Sequence, residues 1–385
     1  MEVYFDNSST TKMYDDVIQE VIIGMKDYYG NPSSLHNLGL KSEKKLKESR
    51  EIISHIINAE EKEVHFNSGG SEGNNLILRG ILKQGGHLIT TPFEHASILN
   101  TLKELENDGV KITFLKIDKS GKVNLDHLKE SITKETKLVS IMHVNNEIGI
   151  IQDIEAIGKI IKNVSSKAKF HVDAVQSFGK LNINVKNMNI DFLTVSAHKF
   201  HGPKGCGFVY IKKPININPL ISGGAQEFGF RAGTQNIAAI MGMTKAATMV
   251  SQNMEANYKK VLSIKNRFIE KLKDIDEIRI NSLSNEYFSP YILNVSFGGV
   301  RGEVLLHYLE ENEIYVSTGS ACSSKEREKI GGSYVLKAIG LSKDEILGGI
   351  RFSFSDDNDV EEVDYVIDKL KEGLTFLRIM NKKRK

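Results

Sequence analysis

The sequence predicts an α/β fold with a mainly parallel sheet, because short β-rich runs alternate with helical stretches through the middle of the chain. Helix-like segments such as SEGNNLILRGILKQG and DIEAIGKIIKNVS separate several of these runs, and this alternation implies right-handed crossovers that cover both faces of the sheet. Seven runs are candidate strands, at 63–67, 87–91, 111–117, 137–144, 169–175, 192–196 and 207–213.

The two ends of this region predict departures from a simple parallel sheet. The link between the runs at 192–196 and 207–213 is too short for a crossover helix, so part of the sheet is expected to be antiparallel. From about Gln235 to Ile275 the pattern is helical throughout, which is typical of a helix that bridges two lobes. The β-rich runs YILNVSF, EIYVST and IRFSF then mix with helices, and they predict a smaller α+β lobe.

Composition limits the classes of function. The 385 residues suffice for a large core, and 51 Lys and Arg against 49 Asp and Glu give no global electrostatic reason to expect nucleic acid or membrane as a partner. No apolar run approaches the roughly 18 residues that a membrane span needs, and the N-terminus lacks a signal pattern. Two cysteines cannot form a disulfide framework, so the reducing cytosol is the expected compartment.

Three motifs in one order predict a site for pyridoxal 5'-phosphate (PLP). Gly70 and Ser71 in FNSGGSEGNN lie at a strand-to-helix turn, where backbone N–H groups and a hydroxyl cradle a phosphate. Asp173 in HVDAVQS ends a strand, where a carboxylate can hold the protonated pyridine nitrogen that PLP needs. Lys199 in SAHKFHGPKG follows another strand, where partial desolvation suits a lysine to covalent chemistry with a carbonyl. Singly, each motif is equally a cap, an ion pair or a solvated lysine.

The two cysteines lie in contrasting surroundings. Cys322, in VSTGSACSSKEREKIGGS, has only small and charged neighbours, so we expect it to act as a free thiol. Cys206, in GPKGCGFVYI, begins a β run and is predicted to be a buried small hydrophobe without chemistry. His198 and His201 lie three residues apart beside a turn without carboxylates at ligand spacing, so no metal site is predicted.

The chain resembles the cysteine desulfurases, which are fold-type-I PLP enzymes of the class V aminotransferase superfamily. The resemblance implies a PLP-binding large domain, predicted at 14–250, and a small domain built from 1–13 and 251–385. It also implies a homodimer in which the partner subunit completes each active site. The matching motifs run nearly from end to end: YFDNSSTT, YGNPSSLH, FNSGGSEGNN, EHASIL, SIMHVNNEIG, FHVDAVQS, SAHKFHGPKG, FRAGTQN, STGSACSS, SYVLKAIG and IRFSF.

The resemblance assigns a cofactor role to each matching residue. It implies that Lys199 binds PLP covalently, that Asp173 pairs with the pyridine nitrogen and that His95 stacks on the ring. Thr234 would reach the phosphate in the neighbouring subunit. Without the resemblance, His95 is a polar core histidine and Thr234 a helix N-cap. The remaining implied cofactor contacts are Gln176, Asn146, Gly70, Ser71, Ser196 and His198, although the family usually has Ala-Thr at the positions of Gly70 and Ser71.

The resemblance also implies how the substrate is held. Arg351 in GGIRFSF would bind the substrate carboxylate, with Asn146 close to the substrate, and a guanidinium fork suits that bidentate contact. Without the resemblance, a structural salt bridge is the favoured explanation of Arg351. Ser355 and Asp356 stand where many relatives have Gly-Arg, which leaves the neighbouring contacts open.

The implied reaction takes sulfur from L-cysteine, leaving L-alanine and a persulfide on Cys322. Lys199 would take the Cα proton, and His95 is a candidate for helping to ionise the thiol. The persulfide would pass to an acceptor, such as an iron–sulfur scaffold protein or a tRNA-thiolation enzyme. The stretch SSKEREKIGG after Cys322 is longer than expected for the family and is predicted to be poorly ordered without a partner. The alternatives are a selenocysteine lyase or related class V lyase, and a non-catalytic sulfur-assembly scaffold.

Overall fold

The computed structural model describes residues 1–319 and 332–383. Its strands β1–β12 are, in chain order, Val3–Tyr4, Val64–Asn67, His87–Thr90, Lys111–Phe114, Thr136–Met142, Lys169–Asp173, Phe192–Ser196, Gly207–Ile211, Ile278–Ile280, Ile292–Phe297, Ile314–Tyr315 and Gly349–Ser353. Its helices α1–α12 are Asp15–Asp27, Asn37–Ile56, Gly70–Leu82, Ala96–Asn107, Leu125–Ser131, Ile154–Val164, Ile237–Gln252, Met254–Leu272, Gly302–Glu310, Tyr334–Ala338, Lys343–Leu347 and Val360–Lys383. None of these helices is long and apolar enough to cross a membrane.

A seven-stranded sheet forms the centre of the fold, in the order β2-β8-β7-β6-β5-β3-β4. Strands β4, β3, β5, β6 and β7, which are neighbours in this order, are parallel. Strand β8 runs antiparallel to both β7 and β2. The predicted seven-stranded, mainly parallel α/β sheet is therefore confirmed, as is its antiparallel part. Carboxyl ends of the parallel strands meet at one edge, which is where an open α/β sheet binds ligands.

Both ends of the chain contribute to a second region. Strand β1 pairs with β11, and strands β12, β10 and β9 form an antiparallel sheet. Helices α8, α9 and α12 cover this region, and Phe5, Phe268 and Phe352 lie in its apolar core. This packing supports the proposed small domain of 1–13 and 251–385, whose boundaries stay a prediction.

The helical stretch from Gln235 to Ile275 is two helices, so the prediction of one bridging helix is wrong. Helix α7 ends at Gln252 and α8 begins at Met254, with Asn253 between them at φ −105° and ψ 8°. Helix α7 packs against α1 and α2 in the core of the large sheet, whereas α8 packs against α12 in the second core. The break therefore lets each half bury its apolar face in a different core.

A buried ion pair fixes the segment that carries Thr234. The guanidinium of Arg50 binds both carboxylate oxygens of Glu227, at 2.7 and 3.0 Å, and both side chains are at most 5% exposed. The same carboxylate accepts the backbone N–H of Phe66 at 2.8 Å. Glu227 and Phe228 both have positive φ, at 48° and 56°, which is costly for residues other than glycine. The ion pair therefore holds a strained stretch of backbone in place.

Replacing Arg50 with Ala is expected to lower the free energy of unfolding by about 3–5 kcal/mol, because it leaves the Glu227 carboxylate buried without its counter-ion. Urea unfolding of the two proteins measures the difference. Lys47→Ala on the same helix is the matched control, because its pair with Glu51 is exposed (62% and 48%) and should contribute less than about 1 kcal/mol. Equal losses in the two variants would contradict this account.

Candidate active site

A cavity of about 150 Å³ lies at the carboxyl ends of β5, β6 and β7, beside the N-termini of α3 and α4. It brings together every predicted site residue in the described part of the chain except Thr234. Its lining consists of Ser8, Ser9, Gly70, Ser71, Asn74, His95, Met142, Asn146, Asp173, Val175, Gln176, Ser196, His198, Lys199 and Arg351. Cys322 and the loop predicted around it lie outside the described residues.

Lys199 is held from the opposite end of the sequence. It lies on a short 3-10 turn, Ala197–Lys199, directly after β7. Its Nζ donates to the carbonyl oxygens of Ser8 at 2.5 Å and Ser9 at 2.7 Å. The backbone N–H of Thr11 donates to the carbonyl of His198 at 2.9 Å. The N-terminal segment therefore fixes the turn that presents the lysine to the cavity.

Asp173 is held beside the cavity by two hydrogen bonds to its carboxylate. It ends β6, is 2% exposed, and accepts the backbone N–H of Val175 on Oδ1 at 3.0 Å. Its Oδ2 accepts the side-chain amide of Asn74 at 2.8 Å. These bonds fix the orientation of the carboxylate, the kind of group that holds the pyridine nitrogen of PLP. Asn74 was missed by sequence reasoning, although it lies one helical turn after Gly70 in the same motif.

His95 both caps a helix and lines the cavity. It is the N-cap of α4, and its Nδ1 accepts the backbone N–H of Ser97 at 3.1 Å. The same nitrogen lies 2.8 Å from Ser97 Oγ. Burial lowers the pKa of His95, and the positive charge of Lys199 acts in the same direction, against the opposing effect of Asp173. The imidazole is therefore neutral near pH 7.

The turn before α3 has the geometry of an anion site. Gly69 has a φ of 136°, a conformation that side-chain-bearing residues rarely adopt, and α3 begins at Gly70. A Cβ on Gly70 would lie 2.8 Å from Cγ2 of Val175. This contact accounts for glycine where the family usually has alanine. The backbone N–H groups at the start of the helix, with Ser71 and Ser196 beside them, suit a phosphate.

His198, another predicted phosphate contact, lies at the same end of the cavity. Its Nδ1 is 3.2 Å from Oγ1 of Thr10. Burial lowers the pKa of His198 to about 4, and the charge of Lys199 acts in the same direction. A neutral imidazole contributes to anion binding as a hydrogen-bond donor rather than as a positive charge.

Arg351 is 1% exposed and reaches the cavity from β12. Its guanidinium donates to Asp6 Oδ1 and to the carbonyl of Asn146, both at 2.8 Å, and to Ser9 Oγ at 2.7 Å. The structural salt bridge considered from the sequence is thus present, with Asp6 as its partner. Nε of Arg351 is buried without a hydrogen-bond partner, so the guanidinium retains a donor for a ligand.

Asp356, whose role the sequence left open, contacts the chain just after Lys199. Its carboxylate accepts the hydroxyl of Tyr14 at 2.7 Å and lies 3.3 Å from Nε2 of His201. The rings of Tyr14 and His201 stack with their centroids 4.0 Å apart. The expectation that no carboxylate lies near His201 is therefore wrong, because Asp356 and Asp357 approach it from the far end of the chain.

Among residues 1–319 and 332–383, no three His, Cys, Asp or Glu side chains come together in a way that would hold a metal ion.

Buried polar atoms without partners test whether the cavity fits PLP and an amino acid. Leaving such an atom unsatisfied costs about 1–3 kcal/mol, so a cluster of them indicates a polar ligand. The three amide oxygens and the guanidinium N–H in this set match the hydroxyl, amine and carboxylate groups of those ligands. The cluster comprises Ser8 Oγ, Asn74 Oδ1, Asn146 Oδ1, Gln176 Oε1 and Arg351 Nε. The residues present therefore fit the cofactor and its substrate.

Thr234 lies apart from this cavity and is exposed. It is not a helix N-cap, because Asn236 takes that position in α7 and accepts the backbone N–H of Ala239 at 3.2 Å. The alternative of an N-cap at Thr234 is therefore wrong. Its contact with the phosphate of a second subunit stays a prediction.

The described chain on both sides of residues 320–331 is bonded to neighbours of the cavity. Ser317 exchanges backbone hydrogen bonds with Arg351, at 2.6 and 3.1 Å. Ser333 Oγ donates to the buried carboxylate of Glu147 at 2.5 Å, next to Asn146. The hydroxyl of Tyr334 donates to the carbonyl of Glu94 at 2.8 Å, next to His95. The described residues on either side of the gap therefore both lie beside the site.

A mainly parallel sheet with a lysine, a carboxylate and a phosphate turn at one edge defines a PLP-enzyme type of site. The family model for aminotransferase class V matches residues 3–366, and the chain belongs to that family. Cysteine desulfurase IscS of Clostridium botulinum is 42% identical over 99% of this chain and 96% of its own length. A solved structure described as a NifS-like protein superposes with a TM-score of 0.91, at 36% identity over 98% of this chain and all of that chain. A structure of SspA in complex with cysteine gives a TM-score of 0.81, at 34% identity over 92% of this chain and 99% of its own.

Proposed function

We propose that the protein is a PLP-dependent cysteine desulfurase, which converts L-cysteine to L-alanine and leaves a persulfide on Cys322. The observation that carries the proposal is one cavity holding Lys199, the carboxylate of Asp173 and a guanidinium donor of Arg351. Full-length similarity to proteins named cysteine desulfurase supports it, as does the cysteine bound to the SspA relative.

Different residues of the cavity would bind different parts of PLP. Lys199 would hold PLP covalently, Asp173 its ring nitrogen, and the start of α3 its phosphate. PLP bound there supplies an electron sink for charge that develops at the substrate Cα. His95 lines the cavity as the expected ring-stacking residue, with Gln176 and Asn146 presenting free amide oxygens.

Two residues would bind the substrate, and two others would react with it. Arg351 binds the carboxylate of cysteine through its free Nε donor, and Asn146 accepts from the substrate. The amine of Lys199, released from its covalent role, takes the Cα proton. A thiolate at Cys322 then forms a bond to the substrate sulfur while the carbon–sulfur bond breaks, and protonation of the carbon skeleton gives alanine.

The test is product analysis with the loaded protein. L-Cysteine and a thiol reductant should give alanine and sulfide in equal amounts. Release of pyruvate and ammonia would instead indicate a lyase, and absence of turnover would favour the scaffold alternative.

The persulfide requires an acceptor and a reducing compartment. We propose that the outer sulfur passes to a protein of iron–sulfur assembly or of tRNA thiolation in the cytoplasm. A thiolate of the acceptor forms a bond to that sulfur while the sulfur–sulfur bond breaks, and Cys322 leaves as the thiolate. The small number of cysteines, 2 in 385 residues, accords with such a compartment.

A homodimer is proposed from exposed apolar side chains near the segment that carries Thr234. Helices α1 and α2 and their connection expose a row of them: Ile18, Ile22, Ile23, Met25, Tyr29, Leu35, Leu38 and Leu40. Apolar side chains exposed together in this way are typical of a protein–protein interface. Sedimentation of the loaded protein should give twice the mass of one chain, and a fully active monomer would contradict the proposal.

A further inference from the structure

A row of side-chain hydrogen bonds runs along the cavity from Asp173 to His95. The Nδ2 group of Asn74 donates to Asp173 Oδ2 at 2.8 Å and to Ser97 Oγ at 2.9 Å. Ser97 Oγ in turn lies 2.8 Å from Nδ1 of His95. Asn74 is 1% exposed, so solvent does not compete for these bonds. The row joins the group expected at the ring nitrogen of the cofactor to the group expected on the face of the ring.

The direction of each bond follows from what each group can donate. The Asp173 carboxylate only accepts, so the NH2 group of Asn74 must face it, since the amide oxygen there would oppose another acceptor. The second hydrogen of that NH2 group goes to Ser97 Oγ. The hydroxyl of Ser97 has one hydrogen to donate. Its oxygen already accepts from Asn74, and its other neighbour is Nδ1 of His95. Ser97 therefore donates its hydroxyl hydrogen to the imidazole.

The imidazole nitrogen at the end of the row receives two donors. Nδ1 of His95 accepts the hydroxyl of Ser97 and also the backbone N–H of the same residue at 3.1 Å. A nitrogen that accepts carries no proton, and the bond made by one ring nitrogen sets the state of the other. In the neutral ring the proton must then be on Nε2.

We infer that Asn74 and Ser97 are positioning residues that hold His95 as its Nε2–H tautomer, so that the imidazole offers the cavity a hydrogen-bond donor and not a base. Any role of this Nε2–H donor in the reaction rests on the proposed function, whereas the assignment of the tautomer does not depend on it. His95 in this state cannot take the proton of the Cys322 thiol. The earlier suggestion that it helps to ionise that thiol is therefore replaced.

The test is the 15N spectrum of histidine-labelled protein loaded with PLP, recorded through two-bond couplings to the ring protons. His95→Gln identifies the His95 signals by their loss. The expected wild-type pattern is that of a ring protonated at Nε2, with Nδ1 at the shift of an acceptor nitrogen. In Asn74→Ala the hydroxyl of Ser97 is released from its fixed direction. One of the two hydrogen bonds that Nδ1 accepts is then weakened, and the Nδ1 resonance should move away from its wild-type position. Ser97→Ala removes the hydroxyl itself and should shift the same resonance while leaving the Asn74–Asp173 bond intact.

Asn75→Ala is the matched control on the same helix. Its amide contacts the carbonyl of Ser97 at 3.4 Å and no atom of His95, so the His95 signals should not move. A wild-type ring protonated at Nδ1 would overturn the inference. So would unchanged His95 resonances in both Asn74→Ala and Ser97→Ala. Because no turnover is measured, failure of the tautomer assignment is distinguishable from failure of the desulfurase proposal.

Discussion

Replacing Cys322 with Ala is expected to abolish sulfide release from L-cysteine while the protein still binds PLP. The thiolate is the group that accepts the substrate sulfur, and no other step supplies a nucleophile for it. Loss of a catalytic nucleophile lowers turnover by roughly a thousandfold or more. Sulfide assay in the presence of reductant measures the loss, and the absorbance of bound PLP shows that the cavity is intact.

Cys206→Ala is the matched control because it removes the chain's other thiol. Cys206 is 2% exposed, its sulfur lies 3.8 Å from that of Met243, and burial raises the pKa of its thiol to about 12. The prediction that it is a buried small hydrophobe is confirmed, so this variant should remain active. An active Cys322→Ala protein would contradict the proposed chemistry. Activity of that variant on selenocysteine alone would favour the selenocysteine lyase alternative.

Replacing Lys199 with Ala is expected to remove both covalent cofactor binding and turnover. The wild-type protein should be yellow, with an absorbance band that borohydride removes by fixing the lysine–cofactor bond. The variant lacks the amine for that bond and for proton transfer at Cα, so its kcat should fall by roughly 10²–10⁴-fold or more. Lys204→Ala is the control, because Lys204 is exposed in the same connection between β7 and β8 and does not line the cavity.

A borohydride-sensitive band that survives in Lys199→Ala would contradict the assignment. Lys180 is then the amine to examine, since it is 8% exposed and burial lowers its pKa to about 8. It is absent from the cavity lining and lies near the ring of Tyr291 at 5.2 Å, which is why Lys199 is assigned.

The large sheet and the main groups of the site were predictable because they depend on local patterns. Lys199 and Asp173 each follow a β-rich run, and parallel strands bring such ends to one edge whatever the loops do. Asn74 was missed because its significance comes from what it touches, Asp173 and Ser97, and not from any spacing in its own motif.

The partners of Lys199 and Arg351 were not predictable for the same reason. Ser8, Ser9 and Asp6 reach these residues only after the chain ends come together, and a sequence separation of that size leaves no periodic signal. The break between α7 and α8 at Asn253 could not be predicted either, because the helical pattern continues on both sides of it. It is needed only because the two helices pack into separate cores. Thr and Asn are both common N-cap residues, so the sequence does not distinguish Thr234 from Asn236. Helix α7 begins at Ile237, which makes Asn236 the N-cap.

The central claim is that sulfur from L-cysteine moves onto Cys322 while alanine is released. It is tested most directly by incubating the loaded protein with L-cysteine without reductant and measuring the intact protein and its Cys322 peptide by mass spectrometry. We predict the added mass of one sulfur atom on Cys322, removed by reductant, and about one alanine released per modified chain. Alanine without added sulfur on Cys322, or added sulfur found on Cys206 instead, would contradict it.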